Sequence, residues 1–340
     1  MKKDIFAQSL ILIFSFLVIV SNAQKKDTIL ANTKGTEIDP SNRRTLVKLN
    51  AEYQYVGFPI EPKWLNFEAK NGIDTTCKPV LFEAKLAPQF IMLGEKTKNA
   101  AYFTIVPNFT IRMYSIRSLP VRTPNFNPQL TVYWPFIKTK ELLGPNTALY
   151  FTETISHYSN GQDGAFYQKV GSDSIINHYN GNFSTNYLEF GLHFLCGIEK
   201  WGWYNLNIIY QQNMSFDQEL FVFEPDMIGK YGKTRMWLDQ KIIAGNNHHF
   251  IIRVNVGFIL DKHLESFGNT NEMARRVTSD WTLTYNPPFL NDISLFAKLY
   301  QGHDYYNIYF NRVLFMNMLG ISINTNFFTN KQKLKQTAKR

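Results

Sequence analysis

Phe250-Ile251-Ile252-Arg253-Val254-Asn255-Val256-Gly257-Phe258-Ile259-Leu260 decides the fold. Its even positions are all apolar, and Arg253, Asn255 and Gly257 fall on the opposite face. A period of two marks a β-strand that meets an apolar medium on one side and a polar one on the other. Residues 45–56 repeat the pattern, with Val47, Leu49, Ala51, Tyr53 and Tyr55 set against Lys48, Asn50, Glu52 and Gln54. Residues 312–328 do so as well: Val313, Phe315, Leu319, Ile321, Ile323 and Phe327 share a face interrupted by Asn317 and Thr325.

Working outward from these gives twelve segments: 45–56, 81–95, 100–114, 127–138, 147–159, 183–198, 203–215, 233–245, 248–261, 276–287, 292–302 and 312–328. Several reach the length of about nine to eleven residues that a tilted membrane strand needs. The connections alternate. Those after even-numbered segments are short (95–100, 199–202, 245–248, 286–288), and those after odd-numbered segments are long (57–80, 115–126, 160–182, 216–230, 262–275). A soluble sandwich has no reason for this alternation, so the reading is all-β: a 12-stranded antiparallel transmembrane β-barrel with its N-terminus in the periplasm.

Composition agrees. Phe 28, Tyr 18 and Trp 6 among 340 residues, with only 19% charged, exclude a disordered, collagen-like or coiled-coil chain. No apolar run after residue 23 is long enough for a membrane helix. Lys2 and Lys3, the apolar stretch Leu10 to Val20, and Ser21-Asn22-Ala23 before Gln24 read as an export signal. The expected organisation is a signal peptide at 1–23, an N-terminal periplasmic segment at 24–43, an outer-membrane barrel at 44–328 and a basic tail at 329–340.

The net charge of +9 concentrates in that tail, at Lys331, Lys333, Lys335, Lys339 and Arg340, so no nucleic-acid partner is expected. Cys77 in the first outer loop and Cys196 near the periplasmic end of the sixth segment should stay unpaired. Phosphate loops, H-E-x-x-H zinc sites and G-x-S-x-G elbows are absent from the sequence. His248-His249 in a short turn reads as a solvated pair.

The fifth segment ends in His157-Tyr158-Ser159-Asn160-Gly161. His157 and Ser159 share a strand face with Leu149, Phe151 and Ile155, so they point toward lipid at the outer end. Polar groups are costly there unless partnered. An imidazole beside a hydroxyl is a base and nucleophile pair. The sixth segment carries Leu188, Phe190, Leu192, Phe194 and Cys196 on one face, and Asn186, Ser184 and Asn182 extend that face upward. The Asn186 amide is placed to orient the imidazole, with Asn182 its competitor.

His157 to Gly161 resembles the H-x-S-N-G signature of the outer-membrane phospholipase A family. Two other stretches are similar to that family's patterns. Ser118-Leu119-Pro120-Val121-Arg122-Thr123-Pro124-Asn125-Phe126-Asn127-Pro128-Gln129 resembles its S-x-P-F-R-E-T-N-Y-x-P-Q/E loop, and Leu299-Tyr300-Gln301-Gly302 with Asn307 to Arg312 resembles its Y-x-G-Y-G-E-S-L-I-D-Y-N region. The resemblance runs in order over 118–328.

It implies a twelve-stranded barrel with phospholipase A1/A2 activity in the outer membrane, acting on membrane phospholipids as a homodimer. It further implies Ser159 as nucleophile, His157 as general base and Asn186 as the orienting residue, the last through Ser184-Thr185-Asn186 matching the family's S-W-N. It also implies calcium that polarises the oxyanion, held by the Gln162 main-chain oxygen, Asn182 and Ser118 of the partner subunit. Departures are a 26-residue spacing between Ser159 and Asn186, Gln162 where the family has Arg, Asn182 where it has Ser, and no counterpart of the C-terminal Glu. The alternative is a non-catalytic barrel, either a narrow pore or a structural or adhesive protein. The residues do not distinguish sn-1 from sn-2 cleavage, head-group choice or the activation trigger.

Overall fold

The structure is a computed structural model that describes residues 50–51, 53–65, 79–93, 101–117, 121–135, 146–198, 202–216, 222–244, 249–261, 276–290 and 293–323. The expected export signal, the 24–43 segment, the basic tail, Cys77, Ser118 and His248 lie outside the described residues.

Twelve strands form the wall: β1 (Tyr55–Leu65), β2 (Val80–Leu86, resuming at Phe90–Leu93), β3 (Tyr102–Val106, resuming at Phe109–Tyr114), β4 (Asn125–Phe126, resuming at Gln129–Pro135), β5 (Thr147–Ser159), β6 (Ser184–Ile198), β7 (Gly202–Met214), β8 (Thr234–Ala244), β9 (Phe250–Ile259), β10 (Val277–Tyr285), β11 (Ile293–His303) and β12 (Val313–Ile323). Each pairs antiparallel with its chain neighbours, and β12 pairs with β1, so the sheet closes. The result is a closed transmembrane β-barrel.

The three interrupted strands share a cause. Pro88, Pro107 and Pro128 lie at the breaks in β2, β3 and β4. A proline has no N–H to give to a ladder, so the chain bulges and resumes. The breaks adjoin one another, since Leu86 pairs with Phe109 and Phe109 with Phe126.

From β2 onward the strands follow the expected segments closely. The first does not: alternation placed it at 45–56, and the wall strand is Tyr55–Leu65. Residues just before it run through the lumen. Asn50 Nδ2 donates to the Tyr150 hydroxyl, and Asn205 Nδ2 donates to Asn50 Oδ1 at 3.2 Å. The Tyr53 hydroxyl lies 2.6 Å from Thr284 Oγ1 and accepts from Ser322 Oγ at 2.9 Å. An extended segment inside a polar lumen also alternates, which is why the pattern misleads. Pro59 and Pro62 obscured the true strand, which absorbs the second in a bulge between Ile60 and Lys63.

The wall faces are sorted. Phe58, Leu130, Phe190, Leu192, Leu283, Leu295 and Leu319 are exposed on the exterior, as a lipid-facing band requires. Inside, a hydrogen-bonded chain crosses five strands: Thr152 Oγ1 to His193 Nε2 (2.7 Å), His193 Nδ1 to Asn207 Oδ1 (2.8 Å), Asn207 Nδ2 to Asp239 (2.9 Å) and Arg253 Nε to Asp239 (2.6 Å). Gly191 makes the first link possible, because a Cβ there would stand 2.4 Å from both Thr152 Oγ1 and His193 Nε2.

The connection from β11 to β12 folds inward, which alternation gave no reason to expect. Its 3-10 turn, Asn307–Asn311, is buried throughout. Below it Arg112 pairs with Glu83 at 2.5 Å and Asp304 at 2.6 Å, between the rings of Tyr305 and Tyr306 at 4.7 Å each. Phe166, Ile176, Phe183, Phe223, Met227, Tyr231, Tyr306, Ile308 and Phe310 form one buried cluster at the end that carries the long connections. A lumen cavity of about 370 Å³ remains beneath it, lined by groups such as Arg235, Asp280 and Lys298.

Candidate active site

Along β5 the even residues Tyr150, Thr152, Thr154 and Ser156 are buried in the lumen, while Glu153 and Ile155 are exposed outside. His157 and Ser159 continue the odd series and so lie on the exterior face at the strand's upper end. Glu153 stands on that face between its cross-strand partners Val132 and Phe190, and nothing in the structure explains it.

β6 runs antiparallel to β5, with Asn186 directly opposite His157 and Ser184 opposite Ser159. Asn186 Oδ1 lies 2.8 Å from His157 Nδ1. An amide oxygen only accepts, so Nδ1 carries a proton in this contact, and Nε2 is the ring nitrogen left for other partners. Asn186 is fully buried, and its Nδ2 donates to the Met214 carbonyl at 3.5 Å, which keeps the oxygen turned to the ring. Asn182 is turned elsewhere: its Nδ2 donates to Glu224 Oε2 at 2.5 Å. Of the two competing amides, Asn186 touches the imidazole.

The wall behind the site is braced. The His157 N–H donates to the Pro128 carbonyl at 3.3 Å, across the break in β4. From the lumen side, Asn127 Oδ1 accepts from Ser156 Oγ at 2.6 Å and from the Tyr187 hydroxyl at 2.9 Å. Bulges beside reactive side chains re-aim them, and the Asn127-Pro128 break sits one strand from His157.

Above Ser159 the chain turns at Asn160-Gly161. Buried Asn160 clasps both ends of the long connection: its Nδ2 donates to the Gly181 carbonyl at 2.9 Å, and its Oδ1 accepts from the N–H of Gln162 at 3.2 Å and of Phe183 at 3.1 Å. Gly161 has φ +63°, a left-handed conformation that costs other residues about 1–2 kcal/mol. The last two positions of H-x-S-N-G therefore shape the turn. The extra length of the connection is spent on a hairpin, Tyr167–Val170 with Asp173–Ile176, away from the clasp.

For a cation, Gln162 and Asn182 offer hard oxygen donors of the type calcium takes. Glu224, in contact with Asn182, adds a carboxylate whose burial raises its protonation range above the ordinary one. The donor set fits calcium in chemistry. Among the described residues no group of three or more His, Cys, Asp or Glu could hold a metal. Cys196 is a free thiol, and His249 Nδ1 lies 3.0 Å from the Asn286 carbonyl. The inward connection and its Arg112 pairs escaped the sequence reading. The signal was an outer connection, 304–312, rich in Tyr, Phe and Asn and poor in solvating charge.

No protein-family model matches the sequence, and no curated protein matches it. Solved structures do share the fold. Outer membrane phospholipase A from Escherichia coli is 14% identical with a TM-score of 0.51, over 90% of this chain and 97% of that one. The Salmonella typhi outer membrane phospholipase dimer with bound calcium is 15% identical with a TM-score of 0.52, over 81% of this chain and 90% of that one. An active-site mutant of the Escherichia coli protein is 14% identical with a TM-score of 0.53, over 85% of this chain and 99% of that one. At such identities the likeness establishes an outer-membrane barrel fold.

A hydrogen bond of this kind is worth about 0.5–1.5 kcal/mol, so Asn186→Ala should release the His157 ring from its single orientation. In the folded protein the Nδ1 proton resonance of His157 should move upfield and exchange faster with water; an unchanged resonance would show that another group holds the ring.

Proposed function

We propose that this protein is an outer-membrane phospholipase A that hydrolyses acyl esters of glycerophospholipids through Ser159, His157 and Asn186. The observation that carries the reading is the 2.8 Å contact between the Asn186 amide oxygen and His157 Nδ1 on the exterior of the barrel. It supports the Nδ1-protonated tautomer that a general base needs, at a surface where lipid arrives laterally.

Ser159 Oγ attacks the ester carbonyl as His157 Nε2 takes its proton. The resulting imidazolium then returns that proton to the departing glycerol oxygen, which leaves an acyl-serine and a lysophospholipid. Water, deprotonated by the same nitrogen, cleaves the acyl-serine to free fatty acid. The Asn186 amide orients the ring but carries no charge to stabilise it. Calcium, held by Gln162 and Asn182 with Ser118 of the partner subunit, would supply positive charge for the oxyanion. Below Ser159 the exterior wall carries Ile155, Phe151 and Phe190, the two phenyl rings stacked at 6.2 Å, with the Glu153 carboxylate among them, and its apolar part suits an acyl chain in a homodimer interface.

The pore alternative is weakened by the buried cluster that fills the long-connection end. The experiment is fatty-acid release from phospholipid by the folded barrel, in calcium and in excess chelator. Chelation should lower the rate about a hundredfold to a thousandfold, the value of an oxyanion donor, and readdition should restore it. A folded barrel inactive in both conditions is the non-catalytic alternative.

A further inference from the structure

The exterior wall of β10, β11, β12 and β1 carries polar groups that the hydrolytic site does not use. Ser279, Gln301, Phe315 and Lys63 are successive cross-strand partners and form one lateral row. The next row down is Trp281, Leu299, Asn317 and Ile60. Below it come Leu283, Ala297, Leu319 and Phe58, then Tyr285, Leu295, Ile321 and Val56. All belong to the exterior parity, as the exposed Trp281, Leu283, Leu299 and Leu319 show.

The upper two rows hold an ammonium, two amides and a hydroxyl, while the lower two are apolar except for one phenol. Polar side chains on a hydrocarbon-facing wall mark a binding role by default, because the bilayer gives them no partner. Here they line a depression of about 570 Å³. Trp281 Nε1 donates to Ser279 Oγ at 2.7 Å, which pins the indole at one side. In the third row Ala297 stands between Leu283 and Leu319 and is the smallest side chain of its row.

We infer that this wall binds one anionic glycerophospholipid. Lys63 meets the phosphate at head-group depth, two residues from the upper end of β1. The Gln301 and Asn317 amides donate to phosphate and glycerol oxygens, and an acyl chain lies over Ala297 between Leu283 and Leu319. The cation selects an anionic head group over a zwitterionic one. β11 is six strands from β5 in the closed sheet, so this site and Ser159 occupy different sides of the barrel. The inference does not depend on hydrolysis.

The test is native mass spectrometry of the folded full chain carrying Ser159→Ala, so that lipid is not consumed, extracted from vesicles of equal phosphatidylglycerol and phosphatidylcholine. One phosphatidylglycerol should be retained about fivefold in preference, the factor expected for one interfacial lysine. Lys63→Ala with Gln301→Leu should abolish the preference. Lys63→Gln alone, a milder exterior change, should reduce it to about twofold or less, and keeps the test open if the double variant fails to fold. Equal retention of both lipids by the parent, or an undiminished preference in a folded variant, overturns the inference.

Discussion

A Ser159→Ala barrel is expected to fold, to keep the fast migration in unheated detergent gels that a compact barrel shows, and to release fatty acid roughly a thousandfold or more slowly than the parent. The size of the effect follows from chemistry. In the proposed mechanism Oγ is the atom that forms the acyl intermediate, and water held beside His157 in its place lacks its fixed position. Folding should survive, since Ser159 is half-buried on the exterior at the end of β5 and its pairing with Ser184 is through the backbone. Covalent labelling by a serine-directed sulfonyl fluoride should vanish in the same variant. Full activity after the substitution would defeat the hydrolytic reading.

The second large effect concerns stability. Arg112→Ala should destabilise the barrel by about 3–5 kcal/mol, because it leaves buried carboxylates without their cation. Glu83 is fully buried and Asp304 nearly so, and both contact the guanidinium. Asp304 also accepts from the Tyr306 N–H at 3.0 Å, so loss of the ion pair loosens the inward connection as well. The midpoint of denaturant unfolding from vesicles should fall, and ion conductance across a planar bilayer should rise as the plug loosens. An unchanged midpoint would show that other cations, such as Lys298, neutralise the pair.

Most of the wall was legible because a barrel imposes one rule on every strand. The segments around Asn186 and Phe250 follow that rule, and the one around His157 does so except at Glu153, so their faces were readable residue by residue. The first strand was misread because residues 50–54 alternate for another reason, with Asn50 and Tyr53 bonded inside the lumen. The pairing of His157 with Asn186 was reachable through strand phase and the Ser184-Thr185-Asn186 resemblance and not through spacing, since 26 residues separate Ser159 from Asn186. Register across two strands depends on the turn, and the Asn160 clasp that sets it joins residues distant in sequence. The contact of Asn182 with Glu224 and the ion pairs of Arg112 join parts of the chain that no local period connects.

The lumenal position of Asn50 and Tyr53 couples closure of the wall to its contents. Asn50 bonds to Tyr150 and Asn205 on the far wall, whereas Tyr55, only a few residues later, already belongs to the seam between first and last strands. These bonds tie the entrance of the first strand to the opposite side of the wall, so the seam and the lumenal contacts brace the same rim, and weakening either loosens the other.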